Sequence, residues 1–203
     1  AAGEEEGGDK QTKNTGNIEP FIMVNKYVFG RDNIQSVELD LSGIVPKCEI
    51  SVIDNKQAFD VDHYPRDGDS FVILFNSKNQ ETFKSIHMDF DITEITNERE
   101  VDGEPPTINM SGIAKVPKLF AENCQTLDAA GSLDHLEMVA RELQLGLATN
   151  IDTTDDSQSR IQAYETYLEF IKSIAKDSYI DEESFTKFYI DQYYYLNYVE
   201  VNK

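Results

Sequence analysis

The strongest constraint on this chain is a switch in the spacing of its apolar residues near Lys118. Between Glu19 and Lys118, apolar and polar side chains alternate every second residue, the spacing of half-buried strands. Val37, Leu39 and Leu41 alternate with Ser36, Glu38 and Asp40; Cys48, Ile50 and Val52 alternate with Glu49, Ser51 and Ile53. Met88, Phe90 and Ile92 do the same with Asp89, Asp91 and Thr93. Residues 71–75 are continuously apolar, as in a strand covered on both faces. Turn chemistry separates these runs. Asn25-Lys26 is a hairpin tip between Phe21-Ile22-Met23-Val24 and Tyr27-Val28-Phe29. Pro65-Arg66-Asp67-Gly68 presets one turn, and Asp102-Gly103-Glu104-Pro105-Pro106 breaks the chain before residues 107–114. Short strands without a convincing helix predict an antiparallel β-barrel or sandwich over residues 19–118.

Past Lys118 the spacing becomes helical. Leu133, Leu136, Val139, Ala140 and Leu143 share one helix face, with Ser132 placed to cap its start and Gly146 its end. A second stripe joins Tyr164, Tyr167, Leu168, Ile171, Ile174 and Ala175, with Phe170 at its edge and Glu165, Glu169, Lys172 and Lys176 opposite. Residues 185–190 and 193–201 are rich in aromatic and β-branched residues and read as a strand pair. The predicted class is therefore α+β and mostly β. A barrel domain over 19–118 precedes a mixed α/β domain over 119–203, which holds two amphipathic helices and a C-terminal strand pair.

Residues 1–17 carry glycines, charges and no apolar side chain larger than alanine, so residues 1–18 read as a flexible tail. The chain begins at Ala1, the expectation being a processed product or a fragment of a longer polypeptide. With 38 acidic against 18 basic residues the formal charge is −20, which disfavours sequence-reading nucleic-acid contacts and anionic membranes. No apolar run is long enough to span a bilayer. Cys48 and Cys124 are isolated, read as small core residues of a protein in a reducing compartment.

Catalytic and metal signatures are weak. So acidic a chain makes carboxylate pairs by chance, so pairing alone does not signal a glycosidase. Asp60-Val61-Asp62 and Asp152-Thr153-Thr154-Asp155-Asp156 lack EF-hand spacing and read as polar loops rather than calcium sites. His63, His87 and His135 are too scattered to share a metal. Phosphate loops and nucleophile elbows are absent from the sequence. No catalytic residue, metal ligand or cofactor is expected. Tyr193, Tyr194, Tyr195 and Tyr198 read as packing or subunit-interface residues rather than a glycan- or base-stacking platform.

One segment carries a family resemblance. Gln162-Ala163-Tyr164-Glu165-Thr166-Tyr167-Leu168-Glu169-Phe170-Ile171 resembles the Gln-x-x-Glu-Ser-Asp-x-x-Phe-Leu stretch of phage late-control tail proteins and type VI secretion spike proteins. Gln162, Glu165, Phe170 and Ile171 match in kind, Thr166 stands for serine, and Tyr167 stands where the family has aspartate. The surrounding residues from Gln158 to Asn202 are similar to baseplate-hub proteins of contractile-tailed phages. So are the stretches Val37-Glu38-Leu39-Asp40-Leu41-Ser42-Gly43-Ile44-Val45-Pro46 and Tyr64-Pro65-Arg66-Asp67-Gly68-Asp69.

The resemblance implies a non-enzymatic homotrimer in the virion tail, assembled in the host cytoplasm. Its barrels would form a ring between the tail tube or tape-measure protein and the spike or tail lysozyme protein. Baseplate wedge proteins would surround that ring, and DNA would pass through its lumen without specific binding. A tail-associated carbohydrate-directed protein (a glycosidase or glycan-binding domain) is the alternative motivated by the acids and tyrosines, and a wedge adaptor is another.

Overall fold

The computed structural model describes residues 18–55, 59, 63–66, 68–77, 84–98 and 105–202. The expected N-terminal tail over residues 1–17, the Asp60-Val61-Asp62 acids and Asp102-Gly103-Glu104 lie outside them.

The alternating half of the sequence forms β1 (Ile18–Val24), β2 (Tyr27–Phe29), β3 (Ile34–Asp40), β4 (Lys47–Ile53), β5 (Ser70–Ser77), β6 (Ile86–Glu98) and β7 (Thr107–Ala114). They make one seven-stranded antiparallel sheet in the order β2-β1-β5-β6-β7-β4-β3, curled into a half-barrel. The β1–β2 hairpin turns through Asn25 and Lys26 at φ 47° and 68°, the left-handed pair that lets a two-residue loop follow strand twist. Curvature is helped by irregular register between Ile34 and Ser36 and between Ile92 and Glu94.

Period two then separates the faces. Ile22, Val24, Cys48, Ile50, Val52, Phe71, Ile73, Met88, Phe90, Ile108 and Met110 are buried on the concave side. Phe71 and Phe90 stack with centroids 5.2 Å apart. Gly112 lies against them, since a Cβ there would come within 2.7 Å of the Phe71 ring and 2.9 Å of Phe90 Cβ. Tyr27, Phe29 and Phe59 close one part of this core through edge and tilted ring contacts. Residues 71–75 depart partly from expectation. Phe71 and Ile73 are buried, whereas Val72, Leu74 and Phe75 remain half-exposed.

The remainder comprises β8 (Glu122–Ala130), α1 (Ser132–Glu142), β9 (Gly146–Thr149), β10 (Gln158–Thr166), α2 (Tyr167–Asp177), β11 (Thr186–Ile190) and β12 (Tyr195–Glu200). Strands β8 and β10 pair as an antiparallel ribbon, while β12 lies between antiparallel β11 and parallel β9. Helices α1 and α2 pack on each other with Leu136, Val139, Ala140, Phe170, Ile171 and Ile174 buried. Phe170 is thus central to its stripe rather than at its edge.

Several local expectations are corrected. Ser132 does not cap α1; Gly131 is the N-cap, and the Ser132 side chain serves an ion-pair network instead. Gly146 is not the left-handed C-cap. Gln144 takes that conformation at φ 59°, and Gly146 starts β9, where a Cβ would meet the Tyr195 ring at 2.4 Å. Tyr164 belongs to β10 rather than to a helix. Cys124 is exposed on β8, whereas Cys48 is buried. Burial, and then the Glu49 carboxylate, push the Cys48 thiol up to about 12, so it stays protonated.

Candidate subunit interface and its supports

The family-like segment is a strand-to-helix junction. Gln162 is fully buried; its amide donates to the Glu165 carbonyl at 3.0 Å and accepts from Gln125 Nε2 at 2.9 Å. This spans a bulge between Ala163 and Glu165, where Tyr164 adopts φ 59° with its ring in solvent. The chain then enters α2 through a capping box. Thr166 Oγ1 accepts from the Glu169 N–H at 3.2 Å, and Glu169 Oε2 accepts from the Thr166 N–H at 3.0 Å. The Thr166 N–H, and then the Thr166 hydroxyl donating to the same Oε2 at 2.9 Å, hold the Glu169 carboxyl below its ordinary value. Thr-x-x-Glu before an apolar run is a helix-start signal legible in sequence, but the stripe through Tyr164 masked it.

Tyr167, which replaces the family's aspartate, makes a tie of its own. Its hydroxyl donates to Glu142 at 2.7 Å and accepts from Asn123 at 2.8 Å, joining α2 to the end of α1 and to β8. Phe170 and Ile171 are core residues. Glu165 is half-exposed in β10, and its carbonyl rather than its carboxylate serves the junction.

A second support is buried beside it. Arg160 Nη2 donates to Ser132 Oγ at 2.8 Å, and the guanidinium lies 3.6 Å from Asp156 and 3.4 Å from Asp177. Asp156 accepts from the Ser132 N–H at 3.1 Å and from the Ser132 hydroxyl, so a loop carboxylate caps α1 from outside the helix. Burial pushes the Asp156 carboxyl up, but hydrogen bonds from Ser132 and Thr154 and the charge of Arg160 outweigh it and hold the carboxyl low.

The tyrosines divide between turn and strand. Residues 191–194 form the β11–β12 turn, in which Asp191 Oδ1 accepts from the N–H groups of Tyr193 and Tyr195 at 2.8 and 3.0 Å. Tyr194, at φ 61°, reaches the half-barrel. Its hydroxyl accepts from the Asp89 N–H at 2.9 Å and donates to the Asp89 carbonyl at 3.3 Å. Tyr193 donates to the Lys84 carbonyl at 3.2 Å, with Lys84 Nζ 4.1 Å from its ring centroid. The Ile190 N–H adds a 2.8 Å bond to the Ile44 carbonyl. Tyr198 is fully buried and bonded to Ser178, while Tyr195 packs on Gly146 with part of its ring in solvent. The tyrosines thus form a strut and a core, not a flat array.

Among the described residues the convex face of the half-barrel is open to solvent, and it is divided. Across β2, β1 and β5 it is apolar. Val28 pairs with Met23 and Met23 with Val72, while Phe21 pairs with Leu74; Phe21, Met23 and Val28 are 44%, 40% and 56% exposed. Across β3, β4, β7 and β6 it is acidic and polar. One row runs Glu38–Glu49–Ser111–Glu94, and its neighbour runs Ser36–Ser51–Asn109–Thr96. Glu38 and Glu49 stand directly opposite each other, an arrangement that lowers stability. The sequence pattern singles out neither the strip nor the rows, although their residues are the off-phase positions of the same alternation. Among the described residues, no cluster of His, Cys, Asp or Glu is arranged to hold a metal ion, and no helix is long and apolar enough to cross a membrane.

The curled antiparallel half-barrel followed by a helix-containing module is similar in fold to solved phage tail proteins. The 43 kDa tail protein of prophage MuSo2 from Shewanella oneidensis matches with a TM-score of 0.60 at 11% identity, over 90% of this chain and 54% of that one. The tail protein from Neisseria meningitidis MC58 matches with a TM-score of 0.57 at 10% identity, over 89% of this chain and 50% of that one. The chain spans about half the length of these solved structures. No protein-family model and no curated protein matches the sequence.

Proposed function

We propose that this chain is a non-enzymatic structural component of a contractile phage tail, a baseplate-hub subunit that forms a homotrimeric ring between tail tube and spike. The observation that carries the reading is the convex face, set on a fold shared with phage tail proteins. Its apolar half is suited to burial against a neighbouring copy, since exposed contiguous apolar patches mark interaction surfaces. Its row carrying Glu38, Glu49 and Glu94 suits a bore that passes DNA, where like charge prevents sticking.

In this reading residues 19–118 and 119–203 are two domains, with the Tyr193–Tyr194 strut fixing one against the other. The ring contacts the tube or tape-measure protein on one side and the spike or tail lysozyme protein on the other, with wedge proteins around it, in the virion tail. The motif residues Gln162, Glu165, Phe170 and Ile171 hold together the strand-to-helix junction of the second domain. The test is the mass of the purified chain together with a cryo-EM map of the tail tip. A threefold ring with β1 and β2 at the contact supports the proposal. A stable monomer, with the chain at the tail periphery, would sink it.

A further inference from the structure

The two edges of the half-barrel sheet are unequal. Edge strand β2 is three residues long, too short to template another strand. Edge strand β3 is seven residues long, contains no proline, and pairs only with β4 among the described residues. After the irregularity between Ile34 and Ser36, its register from Ser36 to Asp40 is unbroken. Among the described residues, a regular row of N–H and C=O groups without strand partners therefore faces outward, the feature that natural sheets blunt or cover.

Beside this edge lies a groove of about 390 Å³ between β3 and β1, lined by the apolar Ile18, Pro20, Ile34, Val37 and Phe75 and by the polar Arg31, Gln35 and Ser36. Val37 and Leu39 turn toward the core side and stay half-exposed, while Glu38 turns outward beside Glu49 with no cation opposite either of them in the sheet register. The edge thus presents an apolar floor on one side and an unbalanced pair of carboxylates on the other.

We propose that β3 is a docking edge for an extended segment of a partner protein, which adds as a further strand. Such a segment alternates apolar residues, which fill the groove beside Val37 and Phe75, with polar ones, and it sets a basic residue against Glu38. Backbone pairing supplies the attachment, and the Glu38–Glu49 pair supplies the preference for a basic partner, because opposite charges directly across a ladder attract and like charges repel. The surface is distinct from the apolar strip on β2, β1 and β5 and does not depend on ring formation.

The experiment uses the full isotope-labelled chain and a capped synthetic peptide that alternates valine with lysine and threonine. Two control peptides are used, one with glutamate for lysine and one N-methylated at alternate residues. The lysine peptide is expected to protect amides between Ser36 and Asp40 from hydrogen exchange. Glu38→Lys should weaken it about fivefold or more and reverse the preference toward the glutamate peptide. N-methylation should weaken it about tenfold or more, because it removes backbone donors. The substitution relieves the Glu38–Glu49 opposition, so loss of folding is not the expected cause of weaker binding. Protection mapping to β2 or the convex strip, or indifference to Glu38→Lys, would overturn the proposal. So would protection of β3 that rises with protein concentration without peptide, since a second copy would then be the occupant.

Discussion

The hydroxyl of Tyr194 accepts the Asp89 N–H at 2.9 Å and returns a bond to the Asp89 carbonyl at 3.3 Å, bridging 105 residues of sequence. Asp89 lies in β6 just before the β6–β7 ladder begins at Phe90, so its N–H needs a partner from elsewhere. Tyr194→Phe keeps the ring and removes both bonds. The expected loss is about 1–2 kcal/mol of unfolding free energy, the range for leaving a partly buried backbone group unpaired. Urea unfolding checks the magnitude, and faster hydrogen exchange at the Asp89 amide checks the cause.

The same tyrosine predicts an alkaline dependence. Burial raises the Tyr194 phenol above its ordinary value of 10.0, and the Asp89 and Asp91 carboxylates add to this against the backbone bond from Asp89. Tyr167 is raised as well, by burial and then by Glu142. A raised folded-state value means that the folded chain holds the proton more tightly. The stability is therefore fully present below pH 10 and is lost as pH rises through the folded-state values. Denaturant midpoints measured between pH 8 and 11 should fall more steeply for the native chain than for Tyr194→Phe.

Gly146 and Tyr195 face each other across the parallel β9–β12 pair, and a Cβ at Gly146 would lie 2.4 Å from the ring. Gly146→Ala should destabilise the protein by about 1–3 kcal/mol through overpacking. Tyr195→Ala should remove most of that penalty in the double variant. A double-mutant cycle showing simple additivity would place the cost in the backbone instead.

These residues also show what the sequence could and could not reveal. Alternation exposed the half-barrel because each strand buries one face, as with Cys48, Ile50 and Val52. The helices were legible from stripes that do pack together. The β8–β10 ribbon was not, because its buried positions are Arg160, Gln162 and a single leucine, Leu127, and no apolar alternation marks them. Tyr164 fell on the α2 stripe only because a bulge precedes the helix, so strand and helix spacing coincide there. Gly146 looked like a cap, since glycine marks both left-handed turns and close contacts, and only the Tyr195 ring distinguishes them. The candidate interface was least legible. A convex strip requires register, and register is set by which strands neighbour one another, which alternation does not encode.

Arg160 and Asp156 test the internal support. Their side chains are 6% and 11% exposed, so removing one partner strands the other in a poorly solvated place. Arg160→Met is expected to lose about 3–5 kcal/mol. Asp156 has a lowered folded-state value, so its contribution is present above the ordinary 3.8 and is lost as pH falls through the lowered value. Without the guanidinium that depression shrinks. Acid unfolding followed by circular dichroism should therefore begin at a higher pH in Arg160→Met than in the native chain.

The convex strip gives the test closest to function. Met23 sits between Val28 and Val72 in register, at the centre of the apolar half, and its side chain is already partly solvated. Met23→Lys and Val28→Lys should therefore leave folding nearly unchanged, since surface substitutions usually stay within about 0.5 kcal/mol. Placed in an interface centre, the same lysines become desolvated charges without partners, a loss of about 2 kcal/mol or more at each contact. A closed ring repeats that contact around its axis, so the expected outcome is complete dissociation rather than a graded weakening. Sedimentation velocity distinguishes the cases. If the lysine variants keep the native mass, the strip is not the ring contact, and that part of the proposed function is wrong.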